Sequence, residues 1–125
     1  MINSDKSTAD LDLAYLREMS GDSPDFMIEM LDTMMVQIPI YLADLQGAVD
    51  AKSWKLASEF AHKVKPTFYY VGRDDMRDYM QQIERNCKES INLDKVPSAL
   101  DEINEEMKRL LVQIEETKQR LAQLL

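Results

Sequence analysis

Apolar residues recur at steps of three and four along four long stretches of this chain, and short runs of turn residues separate them. The first stripe is Met27, Met30, Met34, Ile38, Leu42, Leu45 and Val49; the second is Ala57, Phe60, Ala61, Val64, Phe68 and Val71. The third runs Met76, Tyr79, Met80, Ile83 and Cys87. The last, Leu100 through Ile103, Met107, Leu110, Ile114, Thr117, Leu121 and Leu124, is a heptad seam. Helix signals bracket the stripes. Ser23-Pro24-Asp25 supplies a cap, a proline at the first helical position and an acid suited to the helix dipole. Ser53 is placed to cap the next helix and Gly72 to stop it, while Pro39 predicts a kink in the helix before. A fourth helix begins near Asp74, and a loop with Asn92, Asp94 and Pro97 precedes the last. Ahead of all four, Leu13, Leu16 and Met19 mark a short amphipathic helix from Asp10 to Ser20-Gly21. No convincing strand alternation is present. Short turns force antiparallel neighbours, so the expected fold is all-α, an up-down antiparallel four-helix bundle with a short additional N-terminal helix. Residues 1–8 are expected to be a flexible tail and residues 9–125 the bundle domain.

At 125 residues the chain is one domain. A domain of this size buries roughly two-thirds of its unfolded surface and holds a core without staples. The lone Cys87 excludes an intrachain disulfide and suits a reducing compartment. Charges interrupt each hydrophobic stretch, so no membrane span is expected, and the polar start MINSDKSTAD lacks the apolar middle of a signal peptide. A soluble cytoplasmic protein is expected. The net charge of −8 argues against nucleic-acid binding, and 3 glycines leave no Gly-rich phosphate cradle.

His62 is the only histidine. At 100° per residue it falls off the apolar stripe, in line with Lys55, Glu59, Pro66 and Tyr69, and should be at least partly exposed. From Phe60 to Arg73 there is no acidic residue, while Lys63, Lys65 and Arg73 lie inside that window. A positive island around an accessible imidazole suits a transient, highly negative group. Lys65 is one turn from His62 and close enough to pair with a phosphoryl group on its ring. A unit pair at ~4 Å is worth about 1 kcal/mol in water and about 4 kcal/mol at a surface-like dielectric. By charge alone, Lys63 and Lys65 are equally readable as ordinary solvated cations. A neutral imidazole attacks phosphorus through one ring nitrogen, and the other must carry its proton to a fixed acceptor. Rival chemistries lack ligands. Glu59-x-x-His62 has di-iron spacing but no second such motif; one His and one Cys do not make a zinc site; nothing suggests an oxyanion hole for a Cys87–His62 pair.

His62-Lys63-Val64-Lys65-Pro66-Thr67, followed by Val71-Gly72 and Met76, resembles the histidine-containing phosphotransfer (HPt) family pattern. That pattern reads His-x-Leu-Lys-Gly-Ser, a small apolar segment closing in Leu-Gly, then an apolar residue four positions on. YLREMSGDSPDFMIEMLDTM is similar to the family's opening and SWKLASEFAHKVK to the start of its third helix. The likeness spans roughly residues 11–87, the last helix matching in architecture only.

The resemblance implies a phosphorelay intermediate in two-component signalling. His62 would accept a phosphoryl group from one receiver-domain aspartate and pass it to another, with Lys65 as electrostatic partner. It implies a carrier without an ATP site or kinase activity, and no cofactor of its own, Mg²⁺ belonging to the partner receiver. Glu84 falls where relatives often place a side chain that orients the histidine ring; its plain alternative is a surface glutamate. Partners would be response-regulator receiver domains and a hybrid histidine kinase. The contrasting reading is a non-catalytic helical adaptor that binds receivers without transfer. Pro66 and Thr67 replace the family's glycine and serine. Pro66 cannot donate to the His62 carbonyl and crowds it, which predicts a bend or a widened turn at His62.

Docking is expected on Glu59, Lys63, Pro66 and Tyr69, with Met34 or Met35 adding an apolar patch from the preceding helix. The heptad seam is expected to pack as the fourth bundle helix of a monomer. The alternative is that its end, from about Glu115, projects and dimerises.

Overall fold

The computed structural model describes residues 2–125. Six helices follow one another: α1 (Ser4–Thr8), α2 (Ala14–Ser20), α3 (Pro24–Asp50), α4 (Trp54–Tyr70), α5 (Asp74–Glu89) and α6 (Val96–Ala122). No strand occurs among the described residues. Helix α4 packs against α3 and α5, and α6 packs against α3 and α5, so the four long helices close into an up-down bundle. At ~1.5 Å per residue α3 and α6 each span about 40 Å. They form the longer wall, and α4 and α5 the shorter one that carries the site.

The stripes meet in one core, from Leu16 through Met27, Leu31, Ile38 and Leu45 to Phe68, Met80, Leu100, Ile114 and Leu121. Burying each such side chain is worth about 1.5–3 kcal/mol. Local signals act as expected at the start of α3, where the Ser23 hydroxyl accepts the Phe26 N–H and Pro24 stands in the first turn. Ser53 occupies the cap position of α4, but its side chain makes no capping bond. Pro97 opens α6 instead of lying in the preceding loop; that loop closes in a 3-10 turn at Leu93–Lys95.

Both interior prolines are absorbed without interruption. Helix α3 continues through Pro39 and α4 through Pro66, so the widened turn expected at His62 is absent. A proline removes one ladder bond, and packing on both flanks of the helix is enough to keep its neighbours helical. Met19, expected on an apolar face, is 56% exposed, because Leu11 and Leu16 seat this segment on the bundle. By length and composition α3 could cross a membrane, which corrects the expectation that charges interrupt every apolar stretch. In this fold its apolar stripe forms bundle core.

Residues 4–8, expected as part of a flexible tail over 1–8, are helical, and Met1 lies outside the described residues. That helix, α1, is capped by the Asn3 side chain and lies against α6. The Asn3 N–H donates to Asp75 at 2.9 Å, and the Ser7 hydroxyl donates to Glu106 at 2.5 Å. The Gln113 amide donates to the carbonyls of Lys6 and Ala9. Sequence periodicity could not reveal this, since α1 buries no residue of its own and is held by hydrogen bonds.

The α4–α5 turn depends on Gly72, at φ +77°. A Cβ there would lie 2.3 Å from the Asp12 carbonyl oxygen and 2.8 Å from the Asp12 nitrogen. The left-handed backbone alone costs a non-glycine residue about 1–2 kcal/mol. Gly72→Ala is therefore expected to destabilise by at least about 2 kcal/mol, read as a lower urea midpoint. A loss of only about 1–2 kcal/mol would show that the segment before α2 moves aside and the backbone cost alone remains, and an unchanged midpoint would overturn both contributions.

Candidate functional site

The α4–α5 hairpin sets the register of the site. His62 lies 10 residues before Gly72 and Glu84 lies 12 after it. That is about 15 and 18 Å along two antiparallel helices, so the two side chains come level. Glu84 Oε2 lies 2.9 Å from His62 Nδ1, and Glu84 Oε1 accepts a hydrogen bond from Lys65 Nζ at 2.7 Å. One carboxylate thus serves both residues singled out on α4. A carboxylate can only accept here, so the proton sits on Nδ1 and the lone pair on Nε2.

The His62 side chain is 71% exposed, whereas Lys65 and Glu84 are largely covered. The imidazole stands in solvent with its free nitrogen outward, and its two partners form a firm base beneath it. A shallow groove beside the ring is lined by Lys55, Ser58, Glu59, His62, Glu84 and Lys88. Lys88 also lines the neighbouring groove with Lys65, Glu84 and Arg85. Sequence reasoning missed Lys88; its signal was the four-residue step from Glu84, which puts both on one face of α5.

The positive island is real in part and needs two corrections. Arg73 does not belong to it: its side chain is 1% exposed and bound to Asp75, Glu106 and Gln113 in the interior. The window free of acids along the chain is not free of acids in space, because α5 delivers Glu84 into it.

The expected docking residues divide. Glu59 and Lys63 are exposed, and the Lys63 ammonium lies over the Tyr41 ring of α3, 4.8 Å from its centroid. Pro66 is half-buried. Tyr69 is exposed and packs edge-on against Tyr15 at 5.6 Å, with the Arg77 guanidinium over its ring. Tyr15 stacks on Tyr70 at 4.7 Å, so one aromatic cluster continues the His62 face toward α2. Met34 is buried and Met35 lies beside Lys118 of α6, so neither adds to the His62 face. The far end of α6 packs: Thr117 and Leu121 are buried, while Leu124 beyond the helix is exposed. Among the described residues no group of three or more His, Cys, Asp or Glu is arranged to hold a metal ion.

The Hpt domain family model matches residues 29–124, from within α3 to the end of α6. The chain belongs to the Hpt domain family. The match includes the last helix, where the resemblance in sequence was architectural only. Among curated proteins, the phosphorelay intermediate protein rdeA of Dictyostelium discoideum is 27% identical over 103 residues. That alignment covers 82% of this chain but only 40% of the relative's length. Among solved structures, histidine-containing phosphotransfer protein B of Pseudomonas aeruginosa PAO1 superposes with a TM-score of 0.80 at 19% identity. It covers 90% of this chain and 97% of that one, and so shares the Hpt fold.

Proposed function

We propose that this Hpt chain is a phosphorelay intermediate in two-component signalling, phosphorylated on Nε2 of His62. The observation that carries the reading is the Nδ1–Glu84 hydrogen bond, which leaves an exposed Nε2 as the only free ring nitrogen. Nε2 attacks the phosphorus of a receiver's aspartyl phosphate. The P–N bond forms, the P–O bond to aspartate breaks, and the aspartate leaves as a carboxylate. The Nδ1 proton stays on the ring, facing Glu84. Positive charge that builds on the ring as Nε2 bonds to phosphorus is met by that carboxylate, already in place. Onward transfer is the same step reversed, with a second receiver's aspartate attacking phosphorus and Nε2 leaving.

Lys65 supplies charge for the phosphoryl oxygens, and the receiver supplies Mg²⁺ and most of the catalytic groups. On this reading the chain is a carrier without kinase activity or a cofactor of its own. It works as a cytoplasmic monomer between receiver domains and a hybrid kinase. Glu59, Lys63, Pro66 and Tyr69, extended by Tyr15 and Tyr70, form the docking face. A receiver's acidic phosphorylation pocket complements the lysines around His62 and makes association faster at low salt.

The test is incubation with a phosphorylated receiver domain, followed by chemical typing of the label. A phosphoramidate on this chain is lost in acid and kept in base. Binding without any label on this chain would favour the adaptor reading, and acid-stable label would place the phosphoryl group on a hydroxyl.

A further inference from the structure

The carboxylate of Glu84 has two oxygens and two engagements, His62 Nδ1 on one and Lys65 Nζ on the other. The same ammonium lies one helical turn from His62, within reach of any phosphoryl group on its ring, whereas the Lys63 ammonium is turned to the Tyr41 ring. An ammonium docked at 2.7 Å on a largely covered carboxylate cannot give its full charge to a second anion. We propose that Glu84 is a positioning residue that competes with the phosphoryl group for Lys65, and so limits how tightly His62 retains that group. The inference rests on the reading of His62 as the phosphorylated residue.

The chemistry of the side chain makes the competition specific. A carboxylate accepts from both neighbours at once. A glutamine at the same position accepts from Nδ1–H through its oxygen and turns its NH₂ group toward Lys65. Two donors cannot pair, so Lys65 is released while the ring stays oriented. The released ammonium then serves the phosphoryl oxygens. Glu84 also places a negative charge near a phosphoryl group that carries nearly two. That repulsion acts whether or not Lys65 is present, whereas the competition acts only through it. Lys88 and Arg85, on the same face of α5, are cations that remain near position 84 in every variant. Holding Lys65 in reserve suits an intermediate, because a phosphoryl group bound too firmly would not leave.

The experiment is a double-mutant cycle on the full chain, with phosphoramidate as the donor. In that reaction Nε2 attacks phosphorus, the P–N bond of the donor breaks, and ammonia departs as ammonium. Phosphohistidine is measured by ³¹P NMR at several ratios of phosphoramidate to ammonium, which gives an equilibrium constant for each variant. Glu84→Gln is expected to raise that constant about tenfold when Lys65 is present. In a Lys65→Met background the same substitution is expected to change it by about twofold or less, because relief of repulsion is offset by loss of the carboxylate that meets positive charge on the ring. Equal effects in the two backgrounds, or no effect in either, would overturn the competition while leaving His62 as the phosphorylated residue. Absence of any phosphohistidine on the wild-type chain would overturn the assignment of His62, and this inference with it.

Discussion

Replacing His62 with glutamine is expected to abolish phosphoryl transfer to this chain, by at least about a thousandfold. The amide nitrogen has no free lone pair to attack phosphorus, so no slower version of the same step survives. The fold should be indifferent. The side chain is 71% exposed, glutamine is a good helix former, and Lys65 still pairs with Glu84. Surface changes of this kind stay within about 0.5 kcal/mol, so circular dichroism and the thermal midpoint serve as the control. The measurement is label recovered on the chain after exposure to a phosphorylated receiver. Equal label on wild type and His62→Gln would move the site to another residue. A receiver that still binds the variant would show that the docking face works independently of the transfer chemistry.

The largest stability effect is expected at Arg73, far from the transfer chemistry. Its guanidinium donates to both Asp75 oxygens at 3.0 Å, to Glu106 at 2.7 Å and to Gln113 at 2.9 Å. Through Asp75, Glu106 and Gln113 the same cluster holds Asn3, Ser7 and the carbonyls of Lys6 and Ala9. One buried cation therefore ties α1 and the start of α5 to the middle of α6. Arg73→Met keeps volume but leaves two covered carboxylates facing each other, a loss of about 3–5 kcal/mol. Total stabilities run at about 5–15 kcal/mol, so a substantial fraction is lost. The thermal midpoint should fall by about 10–20 °C.

Acid separates the ionic account from simple loss of packing. Burial pushes the carboxyls of Asp75 and Glu106 up, but their hydrogen bonds outweigh it, from Arg73 and Asn3 on Asp75, and from Ser7, Arg73 and Arg109 on Glu106. Both end below the usual carboxylate range. Groups depressed in the folded state contribute stability that is complete above their unfolded values, near pH 4. That contribution is lost as pH falls through the folded values. Wild type should therefore lose this contribution below about pH 4. Arg73→Met should lose much less, because protonation relieves its unpaired anions. Urea midpoints at pH 7 and pH 3 should show the gap between the two narrowing in acid. A gap of the same size at both would mean that Arg73 acts through packing alone.

The residues that mattered differ in how readable they were. His62 was legible because helical geometry puts it off a clear apolar stripe, and its exposure follows from that alone. Lys65 was legible as a neighbour one turn away, but not as an ammonium already engaged. Glu84 came into view only through the family resemblance, with a surface glutamate as its plain alternative. That it meets both His62 and Lys65 required the rotation of α5 about its own axis, which core packing decides. Arg73 was misread as part of the basic surface, because charge counted along a chain carries no information about which side of a helix end it enters. Glu106 and Gln113 flank the apolar seam of α6, one residue before Met107 and Ile114, and are among its buried residues. Their burial becomes tolerable only when Arg73 arrives from another element to pair with them.

The sequence by itself determined the four long helices, their order, their antiparallel closure and the one exposed imidazole. Those follow from periodicity, capping residues and turn length, all of which act within a few residues. Tertiary structure alone decided the rest: the docking of α1, the burial of Arg73, continuous helix across Pro66, and the carboxylate shared by His62 and Lys65. Each depends on groups 19 or more residues apart, or on packing from neighbouring helices, and no local pattern along the chain encodes such a meeting.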